Sequence, residues 1–170
     1  LLAGMILFVP FFLFRSERMP PVRLWISLAA VGFFLASIGF AGMFLAGGRI
    51  TPGLATVLAN TQPLIAAVMG LIVLKEKVSA PTWFAMALGL LGVGVAGYDT
   101  LFGSGGQSTP AGVGFVLIGA VGVASGNVIL KRLSKKVDAL PAMAIAMTFG
   151  SFPLFIAGFA FESDQTVTWS

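Results

Sequence analysis

Five stretches of the chain carry no charged residue: 24–48, 50–74, 78–98, 100–130 and 139–161. About 20 helical residues cross a hydrocarbon core about 30 Å thick, and every one of these stretches is long enough. A soluble amphipathic helix keeps one polar face, and none of these stretches has a charged one. A shorter apolar run, 1–14, comes before them. The pattern predicts six helices, at 1–14, 24–47, 51–74, 81–98, 112–130 and 139–161. The fold class is an all-α polytopic membrane protein built as a helix bundle. The run 1–14 is too short to span and begins at Leu1 without a Met. It has neither the basic start nor the small-residue cleavage site of a signal peptide. It reads as a helix cut through, and the chain is expected to be a fragment of something longer.

Composition strengthens the membrane assignment. Hydrophobic residues make up 58% and charged residues 9%, where a soluble domain carries about 25% charge. Glycine is abundant, at 22 of 170 residues, which suits close backbone approach between membrane helices. A membrane β-barrel would alternate apolar and polar residues over segments of about ten, and the unbroken runs exclude it. There is no Cys and no His, which removes disulfides, thiolate nucleophiles, haem attachment and the common zinc sites. No intramembrane Asp pair, Ser–His arrangement, intact nucleophile elbow or phosphate loop is present. The sequence therefore predicts neither an enzyme nor a cofactor or metal.

Charge sets the threading. Loops 15–23, 75–80 and 131–138 hold nine of the ten cations, and Arg49 is the tenth. The positive-inside rule makes those three loops cytoplasmic, in a multi-pass protein of the plasma (inner) membrane. The net charge of +4 is thus a topology signal rather than a nucleic-acid footprint. Asp99 and the tail with Glu162 and Asp164 fall outside. Trp25 and Trp83 begin helices at the inner interface, and Tyr98 ends one at the outer. The Gly- and Ser-rich segment 99–110 divides the chain into 1–98 and 111–170. Ser79 and Thr109 are placed to cap the helices that follow them. A weak repeat aligns Pro10 with Pro153, Ala3 with Ala146 and Phe12 with Phe155. The two helices run in opposite directions, as an inverted repeat of five helices requires.

The helix 51–74 holds the strongest candidate chemistry. On a continuous wheel, Leu54, Val57, Leu58, Ile65, Val68 and Ile72 form one arc, expected to face lipid. Asn60, Gln62 and Pro63 lie among small residues on the opposite arc, near mid-depth. Pro63 has no N–H, so the carbonyl of Ala59 loses its helical partner. Two carboxamides beside a freed carbonyl make a polar patch, and transporters place substrate sites at broken helices near the midplane. The competing reading is a plain kink, with Asn and Gln bonding a neighbouring helix. Thr61 falls on the lipid arc and is expected to bond its own backbone. Gly122-x-x-x-Gly126 predicts a close helix crossing, with Ser125 alongside. Asn127 reads as an interhelix contact. Ser37 and Thr148 sit near the middle of their helices, where a hydroxyl can also satisfy itself. Ala85/Gly89 and Gly92/Ala96 read as packing positions. No ionisable side chain lies at mid-membrane, where proton-coupled carriers usually keep one.

The stretch GLATVLANTQPLIAAVMGLIVLKEKVSAPTWFAMALGLLGVGVAGYD, 53–99, resembles the third-to-fifth-helix region of the EamA family, within the drug/metabolite transporter superfamily. The shared elements are small residues before Pro63, the proline itself, Glu76 after an apolar turn, and a Gly-rich helix ending near Tyr98. Residues 112–138, ending KRLSKKVD, are similar to the start of that family's second repeat. The resemblance implies part of a ten-helix carrier of two inverted five-helix repeats, with this chain supplying helices two to seven. It also implies secondary transport, commonly export, of small organic metabolites by alternating access. On this reading Asn60, Gln62, Pro63, Ser37, Ser125 and Thr148 contact substrate. The partners are the lipid bilayer and a small solute, with no nucleic acid, and a homodimer as a further arrangement. The alternative is a non-transporting membrane scaffold or accessory subunit held by its small-residue faces.

Overall fold

In hydrocarbon every backbone N–H and C=O needs a partner within the protein, and a helix supplies it locally. The computed structural model describes residues 20–75, 79–102 and 108–161, and among these there is no strand. The run 1–14, Glu76, Lys77 and the acidic tail lie outside the described residues. The first element, α1, runs Val22–Ala46. It opens with a 3-10 turn (Val22–Leu24) and contains a π-helical segment, Phe33–Ile38. Two half-helices follow, α2 (Pro52–Ala59) and α3 (Gln62–Leu74). Then come α4 (Ala80–Phe102), α5 (Pro110–Leu133) and α6 (Ala139–Phe161). Val22–Ala46, Pro52–Leu74, Pro110–Leu133 and Pro141–Gly158 are each long and apolar enough to cross a membrane.

Helix ends follow local chemistry. Thr109 caps α5, its hydroxyl oxygen accepting from the Gly112 N–H at 3.1 Å. Ser79 precedes α4, where its carbonyl takes the first helical bonds and its hydroxyl meets that of Thr82 at 2.8 Å. Lys75 ends α3 in the left-handed conformation, φ 53°. The linker is shorter than its composition suggests, because α4 continues through Asp99 to Phe102 and α5 already begins at Pro110.

The first long helix lies between α5 and α6, and glycine makes both contacts possible. A β-carbon on Gly32 would collide with the Ala146 carbonyl, and one on Gly150 with the Gly32 carbonyl. On the other side, a β-carbon on Gly122 would lie 2.6 Å from Ile38 Cγ2, and one on Gly126 2.8 Å from Leu35 Cβ. The Gly122/Gly126 pair therefore forms the close crossing that its spacing predicts. Towards the start of α1, Leu28 and Val31 pack with Leu133, Ala142, Ile145 and Ala146. Towards its end, Ala46 and Ile50 pack with Leu54, Leu58 and Val116. At that end Thr109 donates twice to the Arg49 carbonyl, from its N–H at 2.7 Å and its hydroxyl at 3.0 Å. The Thr51 N–H donates to the Ser108 hydroxyl at 3.2 Å.

Three expectations need correction. Leu54 and Leu58 do not face lipid: they are buried against α5. One wheel cannot pass through 51–74, because the chain leaves helical geometry at Asn60 and Thr61 and the faces change phase there. Ile72 and Val68 do face outward. On α4, Gly89 meets only the tip of Leu64, at 3.7 Å, while Ala85 is exposed and Gly92 meets nothing within 4 Å. Small residues permit close approach without supplying a partner. Asn127 is likewise exposed rather than held between helices.

The Gly32–Gly150 crossing generates a direct test. Gly32→Val places two branches where backbone already sits, and should cost about 3 kcal/mol or more. Gly94→Val, at a site with nothing within 4 Å, should change stability by no more than about 0.5 kcal/mol. Thermal unfolding in detergent compares the two; equal melting temperatures would show that the crossing is not tight.

Candidate functional site

Pro52 starts α2 at a position where a missing N–H costs nothing, and Pro63 lies in the first turn of α3. Between them the chain makes a turn. Asn60 has φ −69° and ψ −4°, and Thr61 has φ −74° and ψ −16°. The Asn60 N–H still reaches the Thr56 carbonyl at 3.0 Å. The Thr61 N–H turns to Leu58 at 3.0 Å, and those of Leu64 and Ile65 both go to Thr61, at 3.0 and 3.1 Å. The carbonyls of Val57, Ala59 and Asn60 therefore lose their usual helical partners, Ala59 because Pro63 has no N–H to give. Asn60 follows eight residues of α2, or about 12 Å of helix at about 1.5 Å per residue. That is close to the middle of a span.

The side chains at the break differ in how they are satisfied. Thr61 is buried, and its hydroxyl donates to the Leu58 carbonyl at 2.6 Å. It bonds its own backbone as expected, but it does not face outward. Asn60 and Pro63 are exposed and Gln62 is half-buried. Among the described residues, neither carboxamide makes a hydrogen bond. In hydrocarbon an unpaired amide costs several kcal/mol, so these groups need water, a further protein element or a ligand.

The three hydroxyls lie elsewhere and are occupied. Ser37 sits in the π-helical segment and is buried. Its hydroxyl crosses to α6 and donates to the Gly150 carbonyl at 2.5 Å. Ser125 donates to Val121 on its own helix at 2.7 Å and lies 3.6 Å from the Met69 sulfur on α3. Thr148 donates to Ala144 at 2.9 Å. Among the described residues, no hydrogen bond joins any two of the six candidates. The structure brings Ser37 to Gly150, two residues from Thr148, and brings Ser125 to α3. Sequence reasoning missed the π-helical segment and the role of Gly150 as acceptor. A glycine three residues before Pro153 inside a helix is the one signal that could have pointed there.

The EamA-like transporter family matches residues 1–98, more than half of the chain. The chain belongs to that family. This EamA-like chain is 31% identical over 132 residues to an uncharacterized transporter, YvbV, of Bacillus subtilis, covering 77% of itself and 42% of that protein. It is 30% identical over 159 residues to an uncharacterized inner membrane transporter, YedA, of Escherichia coli, covering 92% of itself and 49% of that protein. It is also similar to a chloroplastic WAT1-related protein of Arabidopsis thaliana, at 29% identity over 157 residues, covering 89% of itself and 37% of that protein. The chain thus spans about half the length of the curated relatives it matches. No solved structure matches it significantly. Family and apolar helices together make it an integral membrane protein of a transporter family.

The hydroxyl contacts make a prediction about which residues hold the fold. Ser37→Ala removes a bond between helices and should cost about 1 kcal/mol. Thr148→Ala removes a bond within its helix, and Ser125→Ala removes one within its helix together with a weak contact to the Met69 sulfur; each should cost less than about 0.5 kcal/mol. Unfolding of the three variants in the same detergent gives the ranking, and an unaffected Ser37→Ala variant would contradict it.

Proposed function

We propose that the protein is a secondary carrier of the plasma (inner) membrane that exports small organic metabolites by alternating access. The proposal places the chain in a ten-helix bundle of two inverted five-helix repeats, with loops 15–23, 75–80 and 131–138 in the cytoplasm. The observation that carries it is the interrupted span. A mid-membrane break with three released carbonyls and two unpartnered carboxamides offers both acceptors and donors to a solute, without a charged side chain. That chemistry suits neutral, zwitterionic or amphipathic compounds. Asn60 and Gln62 hydrogen-bond the solute, and Pro63 keeps the break open. Ser37, Ser125 and Thr148 spend their hydroxyls within the bundle, so they shape the cavity wall and contact solute only if those bonds exchange. Export in preference to uptake rests on the family resemblance.

The test is flux by the full-length protein in proteoliposomes loaded with labelled neutral amino acids. Asn60→Ala and Gln62→Ala should each raise the half-saturating concentration about tenfold, the loss of roughly one hydrogen bond. Their melting temperatures should stay at the wild-type value. Variants that transport with unchanged affinity would rule out this site.

A further inference from the structure

A second feature lies at the opposite end of α1 from the Arg49 loop. A cavity of about 440 Å³ opens between the entry to α1 and the exit from α5. Pro20 and Pro21 form one wall, and Lys135, Lys136, Val137 and Asp138 form the other. Ser134 also lines it, but its hydroxyl is taken by the Lys131 carbonyl at 2.8 Å. Among the described residues, the ammonium groups of Lys135 and Lys136 and the carboxylate of Asp138 make no ion pair or hydrogen bond. The cavity thus offers two positive groups and one negative group, all unspent.

Its depth is fixed by Trp25. The indole N–H donates to the Pro20 carbonyl at 3.1 Å, tying the cavity wall to an aromatic of the interfacial belt. The span Val22–Ala46 starts immediately afterwards, so the cavity sits where phospholipid headgroups lie. The adjoining face of α1 is apolar and uncovered. Val22 is 76% exposed, Ile26 is 81% exposed, and Phe33 continues the same face two turns on.

We propose that this cavity binds the phosphoethanolamine headgroup of a membrane phospholipid. The phosphate lies between Lys135 and Lys136, the ammonium pairs with Asp138, and the acyl chains run along Val22, Ile26 and Phe33. A zwitterionic headgroup satisfies all three charges. A phosphatidylglycerol headgroup satisfies the lysines and leaves Asp138 without a partner. Basic pockets at the ends of membrane helices commonly hold lipid phosphates, and the carboxylate selects among them here. This site does not depend on transport or on the direction of threading.

The experiment is native mass spectrometry of the detergent-purified protein titrated with phosphatidylethanolamine or phosphatidylglycerol. Phosphatidylethanolamine adducts should saturate at lower lipid concentration. Lys135→Gln with Lys136→Gln should weaken both lipids about tenfold or more. Asp138→Asn should weaken phosphatidylethanolamine alone, removing the preference. All three substitutions are on exposed side chains, and unchanged melting temperatures confirm that the fold is intact. Equal binding of the two lipids by the wild type, or adducts that survive the double lysine substitution, would overturn the proposal. Displacement of the lipid by an equal concentration of soluble phosphoethanolamine would overturn it too, by making a free solute the ligand.

Discussion

Lipid offers no hydrogen bonds, and this one fact organises the molecule. Each long apolar segment becomes a helix because only a helix pairs a segment's backbone groups within that segment. Hydrophobic burial cannot hold the helices together, since acyl chains are as apolar as leucine side chains. Close contact does that work instead. Gly32 and Gly150 let α1 and α6 approach until their backbones touch, and Gly122 and Gly126 do the same for α1 and α5. Where this economy is broken, the departure carries information.

Two such departures, among the described residues, end differently. In α1, the π-helical segment Phe33–Ile38 interrupts the regular ladder, and Ser37 within it donates across to the Gly150 carbonyl. That departure is consumed by packing. In the second span, the turn at Asn60 and Thr61 releases three carbonyls, while among the described residues the Asn60 and Gln62 amides make no hydrogen bond. Thr61 alone settles its needs, through Leu58. Polar side chains therefore hold structure at one place and, among the described residues, stay unspent at the other. The difference is whether a neighbouring helix stands within reach.

Much of this was legible before the structure. Charge-free runs give the helices, because charge in hydrocarbon is too costly to be accidental. Thr109 before Pro110 announces the start of α5, Gly122-x-x-x-Gly126 announces a close crossing, and Pro63 announces a break. What stayed hidden depends on tertiary choice. Leu54 and Leu58 look like lipid-facing residues until the turn rotates α2 towards α5. Ser37 gives no sign of its acceptor, which is a backbone carbonyl 113 residues away. The small residues of α4 look like an interface, yet Gly92 has no neighbour. Periodicity reports what a face could do and not which partner arrives. The same limit kept the cavity at Lys135 and Lys136 out of view, because it forms only when the α5 exit meets the two prolines before α1.

The central claim is that the break at Asn60 opens onto a water-filled, solute-binding space and not onto lipid. The chain contains no cysteine, so a single introduced thiol reports its own surroundings. In membranes containing the full-length protein, with any cysteines outside this chain removed, Asn60→Cys and Ile72→Cys can be treated with a small, charged, membrane-impermeant thiol reagent. The account predicts fast modification at position 60, slowed by transported solute, and none at position 72. Equal inertness at both positions, or modification at 60 that no solute affects, would contradict it.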